Sequence, residues 1–360
     1  MKTRSIKIFI MAAFVLSAGL IASCSEDDPI VVDKTGLNTA ITAAKLLLST
    51  TSEGVAAGNY QRGSQDKLSQ AVNVAQVIAD LPEVTQATAT GATASMNAAV
   101  VVYQGKIIVP IDPTNLVGHW TFDALTTAAA DAVVKDYSGN SRNGAIKAGH
   151  AYFGAGTAVL ATDRYGVAGK ALLLNKGANV EIPYNTAFNQ ASFSISAWIK
   201  LAEVRNNRFI GLQSWIGYKF EVQDGNRPFA TIGHSGGAYD RDAAVPIGQN
   251  VWYHLVVTYT ANSMVFYING VMVKTWTDTP NAAASISAKP YNLVLGCDFP
   301  TNKYSSDANG TNFGTVGHAD YQLIPAAWGG YLNGYLDEVR IYKSVLSASQ
   351  VTSIYDIEKP

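Results

Sequence analysis

From Leu116 onward the apolar residues recur at every second position in short runs, and turns rich in Gly, Asn, Asp and Pro separate one run from the next. Phe193, Ile195, Ala197 and Ile199 alternate with Ser192, Ser194, Ser196 and Trp198, the period of a strand with one face toward a core. Trp252 to Tyr259 and Met264 to Ile268 continue in the same way. Asn269 and Gly270 lie between Met264–Ile268 and Val271–Trp276, and this dipeptide suits a two-residue hairpin because both residues tolerate positive φ. The absence of strand–helix–strand alternation argues against a doubly wound sheet. A sandwich or jelly roll is expected.

The preceding region has helical spacing. Leu37, Ile41, Ala44 and Leu48 share a face and predict a helix from about Thr35 to Thr51. Gly54 to Gly63 is a turn-forming stretch, after which Ser64 stands as an N-cap before Leu68, Val72, Ala75 and Ala79, with Leu81 and Pro82 ending the helix. A third helix is expected from about Glu83 to Gln104, with Val84, Ala87, Ala94, Ala98 and Val101 on one side. Ile111 to Thr114 marks the boundary, because its flanking prolines disfavour helix. The expected organisation is a leader over 1–23, a tether over 24–34, a helical domain over 35–109, a linker over 110–115 and a β domain over 116–360.

Lys2, Arg4 and Lys7 precede an apolar stretch from Ile8 to Ile21 that is too short to span a bilayer as a permanent helix. It has the pattern of a signal peptide. Leu20 to Cys24 resembles the lipobox of bacterial lipoproteins, which implies a lipid on Cys24 and attachment to the membrane through that lipid only. Ser25, Glu26, Asp27 and Asp28 resemble the acidic export signal of surface lipoproteins, which implies an outer-membrane, cell-surface location; the alternative is a solvated charge run. With Cys24 lipidated, Cys297 has no partner in the mature chain. Stability must then come from a packed core, for which 48% hydrophobic residues are ample.

The formal charge is −1, and loss of Lys2, Arg4 and Lys7 with the leader takes it to −4, which leaves no electrostatic footprint for nucleic acid. Eighteen Tyr, 6 Trp and 31 Gly point instead to neutral polar ligands and a turn-rich β protein.

Val117 to Asp123, Asp136 to Asn140, Gly169 to Leu172, FSISAWIK over Phe193 to Lys200, Trp252 to Val256, VFYINGV over Val265 to Val271 and LDEVRIY over Leu336 to Tyr342 occur in order. Together they resemble the LamG-like jelly-roll family, which implies a mainly β, concanavalin A-like sandwich behind a small three-helix domain. Gly58 to Ser64 with its flanking helices resembles the FIVAR-type modules of extracellular glycan-related proteins; the plainer reading is a spacer.

The LamG resemblance also implies a structural calcium where the first and last strands meet, with Asp337 facing the metal and Glu338 on the opposite face of its strand. Asp123, Asp136 and Asn140 supply further hard oxygens of the kind calcium prefers. The alternative for this Asx-rich turn is that it holds no ion.

Glycosidases on such a fold need two carboxylates a few Å apart, yet Glu181, Glu203, Glu221 and Glu338 look isolated, and the five histidines lack metal-binding spacing. A non-catalytic protein is expected. Carbohydrate recognition needs aromatic faces beside polar groups. Two stretches supply them: Gln213, Trp215, Tyr218, His234, Tyr239, Asp240 and Arg241, and the long loop Asp298 to Gly329 with Tyr304, Asn312, Tyr321 and Trp328. The candidate contacts are Trp215, Tyr218, Tyr239, Tyr304, Asn312 and Trp328. A surface glycan binder, with a glycan-uptake complex as partner, is the first expectation; an adhesion or protein-interaction module is the second, and a hydrolase with an unorthodox site is the distant third.

Overall fold

The computed structural model describes residues 31–223, 225–234, 236–280, 290–307, 309–312, 315–319 and 323–360. The leader, Cys24 with its acidic run, and Tyr321 lie outside the described residues. No described helix is long and apolar enough to cross a membrane.

Three helices come first: α1 (Thr35–Thr50), α2 (Ser64–Asp80) and α3 (Gln86–Gln104). They pack around Leu37, Ile41, Leu68, Val72, Met96 and Tyr103, with Tyr60 stacked on Tyr103 at 4.3 Å. Two local expectations change. Ser64 is the first helical residue rather than the cap: Gly63 takes that place at φ 78°, Ser64 donates its hydroxyl back to the Gln61 carbonyl, and Glu53 accepts the Gln65 N–H at 2.6 Å. On α3, Ala94, Ala98 and Val101 face solvent, and Ala89, Ala92, Met96 and Tyr103 form the buried side. Alanine carries too little apolar area to choose a face, whereas Met and Tyr do.

Two antiparallel sheets of eight strands each make the sandwich. Sheet I runs Val271–Trp276, Ser263–Ile268, Trp252–Thr260, Phe193–Leu201, Gly334–Tyr342, Ala171–Leu174, Val159–Ala161, and Leu116–Trp120 also pairs with Gly334–Tyr342. Sheet II runs Gly237–Asp242, Arg227–His234, Tyr218–Gln223, Asn207–Leu212, Leu293–Leu295, Asn179–Ile182, Gly144–Lys147, Val133–Val134. Phe193, Ile195, Ala197 and Ile199 enter the core between the sheets, opposite Phe209 and Phe220 of sheet II. Asn269 and Gly270 adopt φ 51° and 76°, as the hairpin requires.

A third layer covers part of sheet I. The end of the chain forms a helix, α4 (Ala348–Glu358), and Ser347 and Gln350 cap it reciprocally. Under it Trp198 and His254, on the outward side of their strands, are buried; Trp198 donates its indole N–H to Glu358 at 2.8 Å. The linker is pinned to the same helix: Val109 N–H donates to Ser353 at 2.9 Å, and Gln350 donates to the Pro110 carbonyl at 2.8 Å.

The last strand departs from the expected alternation. Leu336, Val339 and Ile341 all enter the core, which requires an extra residue, and Glu338 provides it as a β-bulge at φ 49°. Asp337 and Glu338 therefore do not point to opposite faces. Arg164 lies 2.5 Å from Asp337 and 3.7 Å from Glu338. Arg340 bonds Glu338 at 2.6 Å and Glu358 at 2.5 Å, and His119 bonds Glu338 at 2.7 Å.

The residues expected to share a calcium are likewise not gathered into one coordination sphere. Among the described residues no group of three or more His, Cys, Asp or Glu side chains is arranged to hold a metal ion. Asp337 is matched by the Arg164 guanidinium, and Asp123 lies exposed beyond the end of its strand. Asp136 accepts the His119, Ser138 and Arg142 N–H groups and the Ser138 hydroxyl, while Asn140 donates its amide to the Leu116 carbonyl. Asp136 thus organises a turn with N–H donors where a cation was expected.

Burial acts to raise the Glu338 pKa, but the His119 hydrogen bond and the Arg340 charge outweigh it and bring the carboxyl down to about 2. A depressed acid stabilises the fold above its unfolded pKa of about 4.3, and that contribution is lost as pH falls toward the folded value. Arg340→Ala strips Glu338 and Glu358 of their shared cation. A loss of about 3–5 kcal/mol in urea unfolding near neutral pH is expected, and stability should fall less steeply on acidification than in the wild type, because Glu338 loses part of its pKa depression.

Candidate functional site

The outward side of sheet II carries charge where its inward side carries Phe. Arg208 on Asn207–Leu212, with Lys219 and Glu221 on Tyr218–Gln223, alternate with Phe209 and Phe220, so strand period alone sends them to the outer face. Arg208 bonds Glu221 at 3.1 Å and also the Asp298 carboxylate, and Lys219 lies 2.9 Å from Glu221. Glu221, isolated in the sequence, is joined to Asp298 through one guanidinium.

Asp298 begins the long loop and fastens it down. It accepts the Tyr304 hydroxyl at 2.5 Å and the Gly330 N–H at 3.0 Å, while Arg208 donates to the Trp328 carbonyl at 2.9 Å. Tyr304–Ser305 pairs in parallel with Ile324–Pro325, which closes the loop on itself. Glycine is needed at its end for close approach: a Cβ on Gly329 would stand 2.2 Å from the Tyr304 ring, and one on Gly330 would stand 2.7 Å from Arg208.

Trp215 is presented from the turn between the two charged strands. Gln213 and Ser214 both adopt positive φ, 59° and 45°, a conformation that costs energy in residues other than glycine. The half-buried Trp215 ring lies with the Arg208 guanidinium 5.5 Å and the Lys219 ammonium 5.0 Å from its centroid. Trp328, at the far end of the loop, is 47% exposed.

The other expected contacts lie elsewhere. Tyr218 is a core residue, 4.9 Å from Phe193, because strand period turns it inward. Tyr304 is buried and serves as the peg on which the loop hangs, its hydroxyl also 3.0 Å from the Cys297 sulfur. Tyr239 packs against the core from the edge strand, and its hydroxyl bonds Asp278. Asn312 stays in the loop, its N–H donating to Asp307 at 2.9 Å. Arg208, Lys219, Glu221 and Asp298 were missed as a group; the signal was three charged side chains alternating with Phe on two neighbouring strands.

Burial disfavours the Arg208 charge, but Asp298 and Glu221 outweigh it and hold the guanidinium protonated. Burial likewise pushes Glu221 up, against the pull of Lys219 and Arg208, and the Cys297 thiol is pushed up to about 12 by burial and the adjacent Asp298. Each carboxylate oxygen of Asp298 and Glu221 meets a cation or another hydrogen-bond donor. Such a pair braces a surface; it does not offer the open acid and base that glycoside hydrolysis uses.

Residues 174–352 match the sequence model of the concanavalin A-like lectin/glucanases superfamily. The two sheets form a concanavalin A-like β-sandwich, and the family match covers its residues 174–352. Among solved structures, domain 4 of AbnA, a GH43 extracellular arabinanase from Geobacillus stearothermophilus in complex with arabinotriose, is similar at 23% identity and TM-score 0.47, over 67% of this chain and 98% of that one. The binding domain of Paraclostridial Mosquitocidal Protein 1 is similar at 17% identity and TM-score 0.45, over 68% of this chain. A botulinum neurotoxin type C structure, described in terms of cell entry through two ganglioside molecules, matches at 14% identity and TM-score 0.44. The chain spans about half the length of these last two structures, 52% and 51%. No curated protein matches the chain.

Arg208→Ala leaves Asp298 and Glu221 facing each other with only Lys219 as a counter-charge. Loss of about 3–5 kcal/mol is expected, together with faster limited proteolysis between Tyr304 and Ile324 under conditions where the wild-type loop resists cleavage.

Proposed function

We propose that this chain is a non-catalytic glycan-binding protein, held at the cell surface by a lipid on Cys24, with the helical region as a spacer. The observation that carries the binding reading is the placement of Trp328 and Trp215. The Trp215 indole lies beside Arg208, the Trp328 backbone carbonyl is held by the same guanidinium, and Trp328 is 47% exposed although its segment is braced in this way. Sugar rings present C–H faces to an aromatic plane and hydroxyls to adjacent polar groups, and rigid placement of both reduces the ordering cost of binding. The near-neutral charge and the Tyr- and Gly-rich composition agree with an uncharged polar ligand at this face. The superfamily description includes lectins, and the saturation of Asp298 and Glu221 favours binding over hydrolysis.

A glycan array probed with the mature protein tests this directly. Trp328→Ala and Trp215→Ala should each weaken the captured glycan by about 1–3 kcal/mol, and a fold retained in circular dichroism shows that the loss is one of contact. Normal binding by both variants removes the loop as the site, and a wild type that captures no glycan removes the carbohydrate reading in favour of a protein partner. Anchoring is tested separately: Cys24→Ala should release the protein from the membrane fraction or leave it unprocessed, and membrane retention of correctly cleaved Cys24→Ala protein would overturn the anchor.

A further inference from the structure

On the outer face of sheet I, one row of side chains lies just beyond the cover of α4. The covered row is His254, Trp198 and Asp337, in register across three strands. Two residues further along each strand, Trp252, Lys200 and Tyr335 form the next row, and Leu173 and Val159 extend it over two more strands. At about 4.8 Å between strands, this row measures about 19 Å.

The row is built of partly exposed side chains, with Val159 47% exposed. Trp252 and Tyr335 meet edge to face at 6.2 Å between centroids. The Lys200 ammonium sits over both rings, 3.9 Å from the Tyr335 centroid and 5.1 Å from that of Trp252. Among the described residues no carboxylate pairs with Lys200, whereas Arg164 and Arg340, which both bond Glu358 of α4, are each matched by acids. Burial pushes the Lys200 pKa down, the direction expected of a partly desolvated cation without a counter-charge.

We infer that this row is a second carbohydrate surface, separate from the loop on sheet II, and that it takes an acidic polysaccharide. Sugar faces rest on Trp252 and Tyr335, and a uronate carboxylate pairs with Lys200. The rings hold the ammonium in place before the ligand arrives, so the ion pair forms with little side-chain ordering. A neutral glycan gains the aromatic contacts and leaves the cation unmatched. The surface therefore discriminates by charge, and this inference stands whether or not Trp328 contacts a ligand.

Isothermal titration of the mature protein with oligogalacturonate, and with the same oligosaccharide after carboxyl reduction, decides the matter. The wild type should bind the acidic form more tightly, with affinity falling as salt rises. Trp252→Ala should weaken binding by about tenfold or more. Lys200→Gln should bring the acidic ligand down to the affinity of the reduced one, Lys200→Arg should keep the preference, and Trp328→Ala should leave it unchanged. Unaltered melting temperatures show that these surface variants fold. Failure of the wild type to bind oligogalacturonate, equal affinity for the two ligands, or a preference that survives Lys200→Gln would overturn the inference; loss of binding in Trp328→Ala alone would assign the acidic ligand to the loop instead.

Discussion

Arg340 holds together elements that the chain keeps far apart. Its guanidinium bonds Glu338 of its own strand and Glu358 at the end of α4, and Glu338 in turn bonds His119 of the first strand. The strand Gly334–Tyr342 lies inside sheet I, paired with Phe193–Leu201, Ala171–Leu174 and Leu116–Trp120. A buried charge costs several kcal/mol if unmatched, so the first strand, the last strand and the final helix are coupled through one cation. The coupling reaches the N-terminal helices, because α4 also bonds the segment that leads into the sandwich through Ser353 and Gln350.

The opposite sheet uses the same chemistry with a different cover. Arg208 stands between Glu221 and Asp298 much as Arg340 stands between Glu338 and Glu358, but what lies over it is a loop rather than an amphipathic helix. A helix covers a face with its own side chains, as Tyr355 does by stacking on Trp198 with ring centroids 5.8 Å apart. A loop pinned through its backbone and a few pegs leaves other side chains to point away. Trp328 is one of these: its carbonyl is held by Arg208 while its ring remains partly in solvent. One network therefore serves chiefly to close the fold, and the other holds a partly exposed loop rigid.

Much of the architecture was legible because strand alternation and hairpin chemistry are local. Phe193 to Ile199 face the core as their spacing implied, and Asn269-Gly270 turns the chain where its φ preferences place a turn. Errors arose where local pattern was weak or overridden. The alanines of α3 left its buried side undetermined, and the bulge at Glu338 reset the alternation of the last strand, although the spacing of Leu336, Val339 and Ile341 already contained that signal. Of the six candidate ligand contacts, Trp215 and Trp328 are both tied to Arg208, one through its ring and the other through its backbone carbonyl. Tyr218 and Tyr304 did not qualify, because an aromatic ring in a strand or loop looks the same in sequence whether it is a core residue, a peg or a platform.

The sequence by itself determined a mainly β sandwich behind three helices, the inward residues of its long strands and the place of the main hairpin, since each follows from side-chain period and backbone preference within a few residues. Only the tertiary structure decided which outward residues are covered and which charges meet. Trp198 and Glu358 are 160 residues apart and Arg208 and Asp298 are 90 apart; no local rule relates them. Their pairing depends on which elements the fold lays over each sheet, because a charge on an outer face is a solvated surface group until something covers it, and then it must find a partner.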